Sequence, residues 1–189
     1  MIRTLETDFT FGPFPASITV AGVAEEAGAT GAEAQDFIEV AWRQAETFTG
    51  RTFRETTAAV VLVEAGCPYA FTWPRWPFPS AVSVETLNAY TGEFGLDSSA
   101  VYVPQIGRIS LAGETLYRLT AAAPIPAPVI PFHVRKAVEN LALYQLVQHP
   151  ARREFKAQSA GDSSLTREAL MGVMYGSGAG AMLASEVRL

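Results

Sequence analysis

The stretch from Leu165 to Leu189 constrains this chain more than any other. It reads LTREALMGVMYGSGAGAMLASEVRL. Leu165, Leu170, Met171, Val173, Met174, Met182, Leu183 and Val187 supply apolar surface that has to be covered. Gly172, Gly176, Gly178 and Gly180 interrupt the same stretch. A glycine in a helix interior costs about 1 kcal/mol relative to alanine. A segment this apolar and this soft orders only against something else, either its own domain or a partner chain.

The rest of the chain bounds the choice. With 189 residues, 49% of them hydrophobic and 17% charged, it is long enough for one domain with a small appendage and too apolar for disorder. The net charge of −5 argues against tight nucleic-acid binding by the whole chain. The charge is uneven, however. Residues 1–60 carry nine acids and four bases, whereas residues 131–189 carry five acids and seven bases, so the C-terminal third can meet something acidic. Cys67 is the only cysteine, which rules out an internal disulfide and a cysteine zinc cluster. No signal-peptide run or membrane-length apolar stretch occurs, so the expectation is a soluble protein made in the cytoplasm.

Local patterns give a coarse map. Residues 1–17, with Phe9, Phe11 and Phe14 among Gly12, Pro13 and Pro15, read as an irregular N-terminal arm. A short helix is expected over Ser17 to Ala27. Thr30-Gly31-Ala32-Glu33 is a capping box, and Phe37, Ala41, Ala45 and Phe48 then recur at helical spacing, predicting a helix over Ala32 to Thr49 ended by Gly50. Thr56 to Glu64 is β-branched. Phe71 to Pro79 holds three prolines and two tryptophans and cannot be helical. Further strand candidates at Val82 to Thr86, Val101 to Val103, Arg108 to Leu111 and Leu116 to Ala121 make residues 55–121 a small antiparallel β unit. Pro131 opens a second helix that Pro150 stops; its apolar residues lie on two sides, as in a centrally packed helix. Residues 151–164 read as a polar loop, and Leu165 to Tyr175 as a third helix.

Chemistry is sparse. His133 and His149 lie sixteen positions apart on one helix, roughly 24 Å, and cannot share a metal or a proton. No HExxH, GxSxG, P-loop or dinucleotide motif is present. Gly176-Ser177-Gly178-Ala179-Gly180 lacks the lysine of a phosphate loop and reads as a flexible joint. Arg152, Arg153 and Lys156 form the one basic cluster, read either as a solvated helix end or as a binding surface. Trp73, Arg75 and Trp76 either close the β unit or anchor an interface, since Trp and Arg dominate binding hot spots.

In order and spacing, these features resemble a known family. They are A-E-x-F-T-G-R at Ala45 to Arg51, W-P-R-W-P-F-P at Trp73 to Pro79, V-S-V at Val82 to Val84, Y-V-P at Tyr102 to Pro104, R-I-S-L at Arg108 to Leu111, the helix P-x-x-V-R-K-A-V-E-N-L-A-L-Y at Pro131 to Tyr144, and the closing S-G-A-G-A-M-L-A-S-E-V-R-L. Over residues 18–189 the chain resembles the head–tail connector proteins (adaptors, head-completion proteins) of long-tailed bacteriophages and phage-derived gene transfer agents. The terminal Ala-Ser-Glu-Val-Arg departs from the proline and additional arginines common in that family, and the Phe-rich arm has no counterpart.

The resemblance implies an α+β fold: mainly a helical bundle (18–164) with a small antiparallel β insertion at about 55–121, and an extended C-terminal tail (165–189). It implies a structural, non-enzymatic ring without cofactor or metal, usually of twelve copies. The ring sits under the portal in the virion neck, prolongs the DNA channel and joins capsid to tail. Its partners would be further copies of itself, the portal protein, a tail-side neck or stopper protein and double-stranded DNA in passage, with no membrane. The tail would dock on the portal through Leu170, Met174, Met182, Leu183, Val187 and Arg188. Trp73, Arg75 and Trp76 would form a subunit or neck interface, and Arg152, Arg153 and Lys156 would face the DNA channel or portal. Two other classes stand beside it: a small ligand-binding or enzymatic domain centred on Cys67 and His133, and a DNA-packaging accessory protein.

Overall fold

The computed structural model describes residues 2–113, 115–148, 157–160, 163–166 and 172–187. The chain divides into two compact units, one of Met1–Pro13 with Thr52–Pro128, the other of Phe14–Arg51 with Val129–Leu189.

The first unit is built from strands. A five-stranded antiparallel sheet has the order β1 (Ile2–Phe11), β2 (Thr56–Ala65), β8 (Thr115–Ala121), β4 (Val82–Leu87), β5 (Phe94–Leu96). A three-stranded antiparallel sheet has the order β3 (Tyr69–Thr72), β7 (Arg108–Leu111), β6 (Val101–Val103). Register explains the core. Alternate residues of a strand share one face, and cross-strand pairing lines up Val61, Leu119 and Val84 in one row, and Val63 and Tyr117 in the next. Phe71 and Ile109 pair across the smaller sheet. These residues, with Ala59, Ala65, Leu111 and Trp73, form one buried cluster. The opposite face of the large sheet carries Arg118 and Glu85, joined at 2.7 and 3.0 Å. That two-pronged bond holds the Glu85 carboxyl below its ordinary value, and the Arg118 guanidinium also lies 4.4 Å from the centre of the Phe94 ring.

Helices build the second unit. Three of them are α1 (Val20–Ala27), α2 (Gly31–Thr49) and α3 (Phe132–Gln148). The capping box forms as its sequence requires: Glu33 N donates to Thr30 Oγ1 at 3.2 Å, and Thr30 N donates to Glu33 Oε2 at 2.9 Å. Gly50 ends α2 in the left-handed region at φ 67°. Ala34, Ile38, Ala41, Trp42 and Ala45 of α2 are buried, as are Val134, Ala137, Val138, Leu141, Ala142 and Leu146 of α3. The alanines let two backbones approach, and α2 and α3 pack together. Gln44 Nε2 donates to Gln145 Oε1 at 3.2 Å across that contact.

This architecture corrects the mainly helical bundle expected from sequence. Eight strands in two sheets form a unit of their own, as substantial as the helical one. The expected β unit was too small because residues 2–11 were left out of it. Residues 2–11 are no surface arm; Ile2, Thr4, Thr7 and Phe9 alternate against the buried side of β2, so the segment is recruited as its edge partner. Its other neighbours are solvated, which is why the pattern lacked a clean apolar alternation. Nor does a single helix cover 165–175. Residues Ala157–Ala160 and Ser163–Thr166 pair as the hairpin β9–β10, separated in sequence by Gly161-Asp162, a dipeptide suited to a tight hairpin loop.

The C-terminal segment is not extended either. Val173–Gly176 forms α4, Ala179–Leu183 forms α5, and Ala184–Glu186 a 3-10 turn. α5 packs on α3.

Candidate assembly surfaces

The C-terminal segment is held by packing and by charge. Gly178, at φ 73°, turns the chain between α4 and α5. Ala179, Gly180 and Leu183 are buried. A Cβ on Gly180 would lie 3.2 Å from the Met174 carbonyl oxygen, a tight contact that a glycine avoids where α4 and α5 approach. Beyond α5, Glu186 meets a guanidinium and an imidazole of the same unit. Its Oε2 lies 2.6 Å from Arg51 Nη1 and its Oε1 3.0 Å from His133 Nε2. The Glu186 and Arg51 side chains are 13% and 21% exposed, so this pair is better shielded than a surface one, while His133 is the more open partner. It ties the residue past the α2 cap, the first turn of α3 and the 3-10 turn into one clasp.

Several expected portal-docking residues can be placed. Leu183 is fully buried, Met174 and Val187 are half-buried, and Met182 is 37% exposed. Leu170 and Arg188 lie outside the described residues, as do Arg152, Arg153 and Lys156.

In the β unit, Trp73 belongs to the core, 2% exposed. Its backbone N–H donates to the Gly107 carbonyl at 2.8 Å, and the Phe9 ring meets its indole edge-on at 6.1 Å. Phe9 in turn stacks on Phe11, with ring centres 6.0 Å apart and planes 8° from parallel. The Arg75 guanidinium lies 5.7 Å from the Phe11 centroid and 6.0 Å from that of Phe9. Arg54 lies 4.3 Å from the Phe11 centroid. Arg75 and Trp76 are half-buried. Of the three aromatic and cationic residues singled out in sequence, two reach the surface and Trp73 closes the interior. Nearby, the Tyr102 hydroxyl donates to the Pro79 carbonyl at 2.7 Å, and burial pushes its pKa up to about 12.

Cys67 sits half-buried between β2 and β3, and His133 in the helical unit has Nε2 on Glu186. No group of three or more metal-ligating side chains occurs among the described residues. Sequence reasoning overlooked Glu186. The only local signal was an acid isolated in an otherwise small and apolar terminus.

No sequence-family model matches the chain, and no curated protein does. Solved structures do. A chain in the neck of an empty gene transfer agent particle, computed with C6 symmetry, aligns at a TM-score of 0.57 and 15% identity, covering 98% of this chain and 96% of that one. A chain in the neck of a native particle, computed with C12 symmetry, aligns at 0.52 and 14% identity, covering 96% of each. At such identity the likeness is one of fold, and both units of the chain fall inside it. This protein has the fold of a chain found in the necks of gene transfer agent particles.

Proposed function

We propose that this protein is a structural, non-catalytic component of the neck of a phage-derived particle, of the gene transfer agent or long-tailed phage type. It assembles as a multi-copy ring under the portal, continues the DNA channel and joins capsid to tail. The observation that carries this reading is the extent of the fold match: 98% of this chain aligns with 96% of a neck chain. A shared local motif would have covered one unit only.

On this reading the C-terminal segment is the portal-facing element, with Met174, Met182, Leu183 and Val187 in the contact, and Leu170 and Arg188 beside them in sequence. Leu183 is buried against its own unit, so docking exchanges that burial for an equivalent one on the partner. Arg75 and Trp76 serve a subunit or neck contact. Arg152, Arg153 and Lys156 face the portal or the passing DNA.

The test has two arms. Gold labelling of the protein in intact particles should mark the neck; label on the shell or the tail tip overturns the assignment. Removing residues 173–189 should abolish association with a portal ring while the β unit stays folded by circular dichroism. Undiminished association rules out the docking role of that segment.

A further inference from the structure

The helical unit carries two unlike surfaces at its two ends. One is acidic. Between residues 14 and 42 there are five acids, Glu25, Glu26, Glu33, Asp36 and Glu39, and no lysine, arginine or histidine. Their combined charge equals the net −5 of the entire chain. Glu25, Glu26 and Asp36 are exposed at the end of α1 and the start of α2.

The other is a cationic and apolar knob at the start of α3. Phe132 is 70% exposed and Val129 95% exposed. Arg135, one turn on, is exposed and holds its guanidinium 5.2 Å from the centre of the Phe132 ring. The neighbouring Lys136 is paired with Glu139 at 3.1 Å. Arg135 pairs with no carboxylate among the described residues. An aromatic ring under a guanidinium fixes its plane and leaves its N–H edge for a carboxylate.

The two surfaces do not meet within one chain. Gln44 is level with Gln145, while Arg51 and His133 share Glu186. These ties make α2 and α3 antiparallel, so the first turn of α3 lies at the C-terminal end of α2. Asp36 lies fifteen residues before Arg51, about 22 Å along the helix. Complementary patches at opposite ends of one rigid unit cannot satisfy each other internally. They satisfy each other between copies, head to tail, and such contacts generate closed rings when the rotation per copy permits.

We propose that the Phe132–Arg135 knob of one copy docks on the acidic corner of Glu25, Glu26 and Asp36 of the next copy. This contact rests on the ring reading above and names the residues that join its subunits. Phe132 and Val129 supply the apolar centre, and Arg135 supplies the charge that selects the partner surface.

Sedimentation velocity of the full-length protein at low salt tests it. Wild type should associate with rising concentration up to about 100 μM, and added salt should weaken that association. Arg135→Glu alone, and Glu25→Arg with Glu26→Arg, should each weaken it about tenfold or more. An equimolar mixture of these two variants should associate again, because each bears the complement of the other. Far-UV circular dichroism checks that the variants, all at exposed positions, remain folded. A wild type that stays monomeric, single-face variants that associate like wild type, or a mixture that stays dissociated would each overturn the contact. Neck labelling reports on the ring separately: a labelled neck with failed association leaves the ring in place and moves its subunit contact elsewhere.

Discussion

Arg51 Nη1 lies 2.6 Å from Glu186 Oε2, joining the residue just past the α2 cap to the turn that follows α5. The same carboxylate accepts His133 at 3.0 Å. Hydrogen bonds to charged groups contribute about 1.5–3 kcal/mol when shielded. Glu186→Gln should therefore speed amide exchange across Ala179–Leu183 about tenfold or more, with the β unit unchanged. Glu139→Gln, which breaks the more exposed pair to Lys136, should change exchange little. Equal effects of the two substitutions would remove the clasp from this account.

Trp73 acts on stability first. It fills the β-unit core and meets Phe9 edge-on. Truncating a buried aromatic to alanine costs about 3–5 kcal/mol. Trp73→Ala should lower the unfolding free energy by that amount in urea denaturation or prevent folding, whereas Trp73→Phe should cost less. A Trp73→Ala protein as stable as wild type would return Trp73 to the surface role that sequence allowed it.

Gly107 has no workable replacement. Its φ is 63°, and an added Cβ would lie 2.5 Å from the Phe78 ring. Its carbonyl also accepts the Trp73 amide. Gly107→Ala should cost about 2 kcal/mol or more, read by chemical denaturation. Gly92 shares the positive φ but has open space around it, so Gly92→Ala should cost less.

Tyr102 predicts behaviour in alkali. Its pKa is raised from 10.0 to about 12 by burial. A group whose folded pKa is raised contributes stability that is fully present below the unfolded value and is lost as pH rises through the folded value. Unfolding should therefore steepen between pH 10 and about 12. Tyrosinate absorbance should show a late-titrating group that Tyr102→Phe removes. A Tyr102→Phe titration identical to wild type would mean that this hydroxyl is solvated.

Much of the local structure was legible. The Thr30–Glu33 box needs only four consecutive residues, so its helix began and ended where its caps lie, at Thr30 and Gly50. Pro131 marked the start of α3 for the same reason. β2, β4, β6, β7 and β8 followed from β-branched or alternating segments, whereas β1, β3 and β5 did not. Arg75 and Trp76 were found as surface candidates from residue type alone, but Trp73, of the same type, went inside.

What the sequence alone determined was therefore what a residue and its neighbours within a turn or two decide: period, caps, breakers and total charge. What tertiary structure decided was pairing across long separations. β1 became a strand because β2, which begins 45 residues after β1 ends, offered an edge. The C-terminal segment folded back because α3 supplied an apolar face, and Arg51 and His133 supplied partners for Glu186. Burial and ion pairing depend on which surfaces collapse together, and no local period records that. For Leu183 and its neighbours, the apolar pattern specified that they must be covered, and only the fold specified by what.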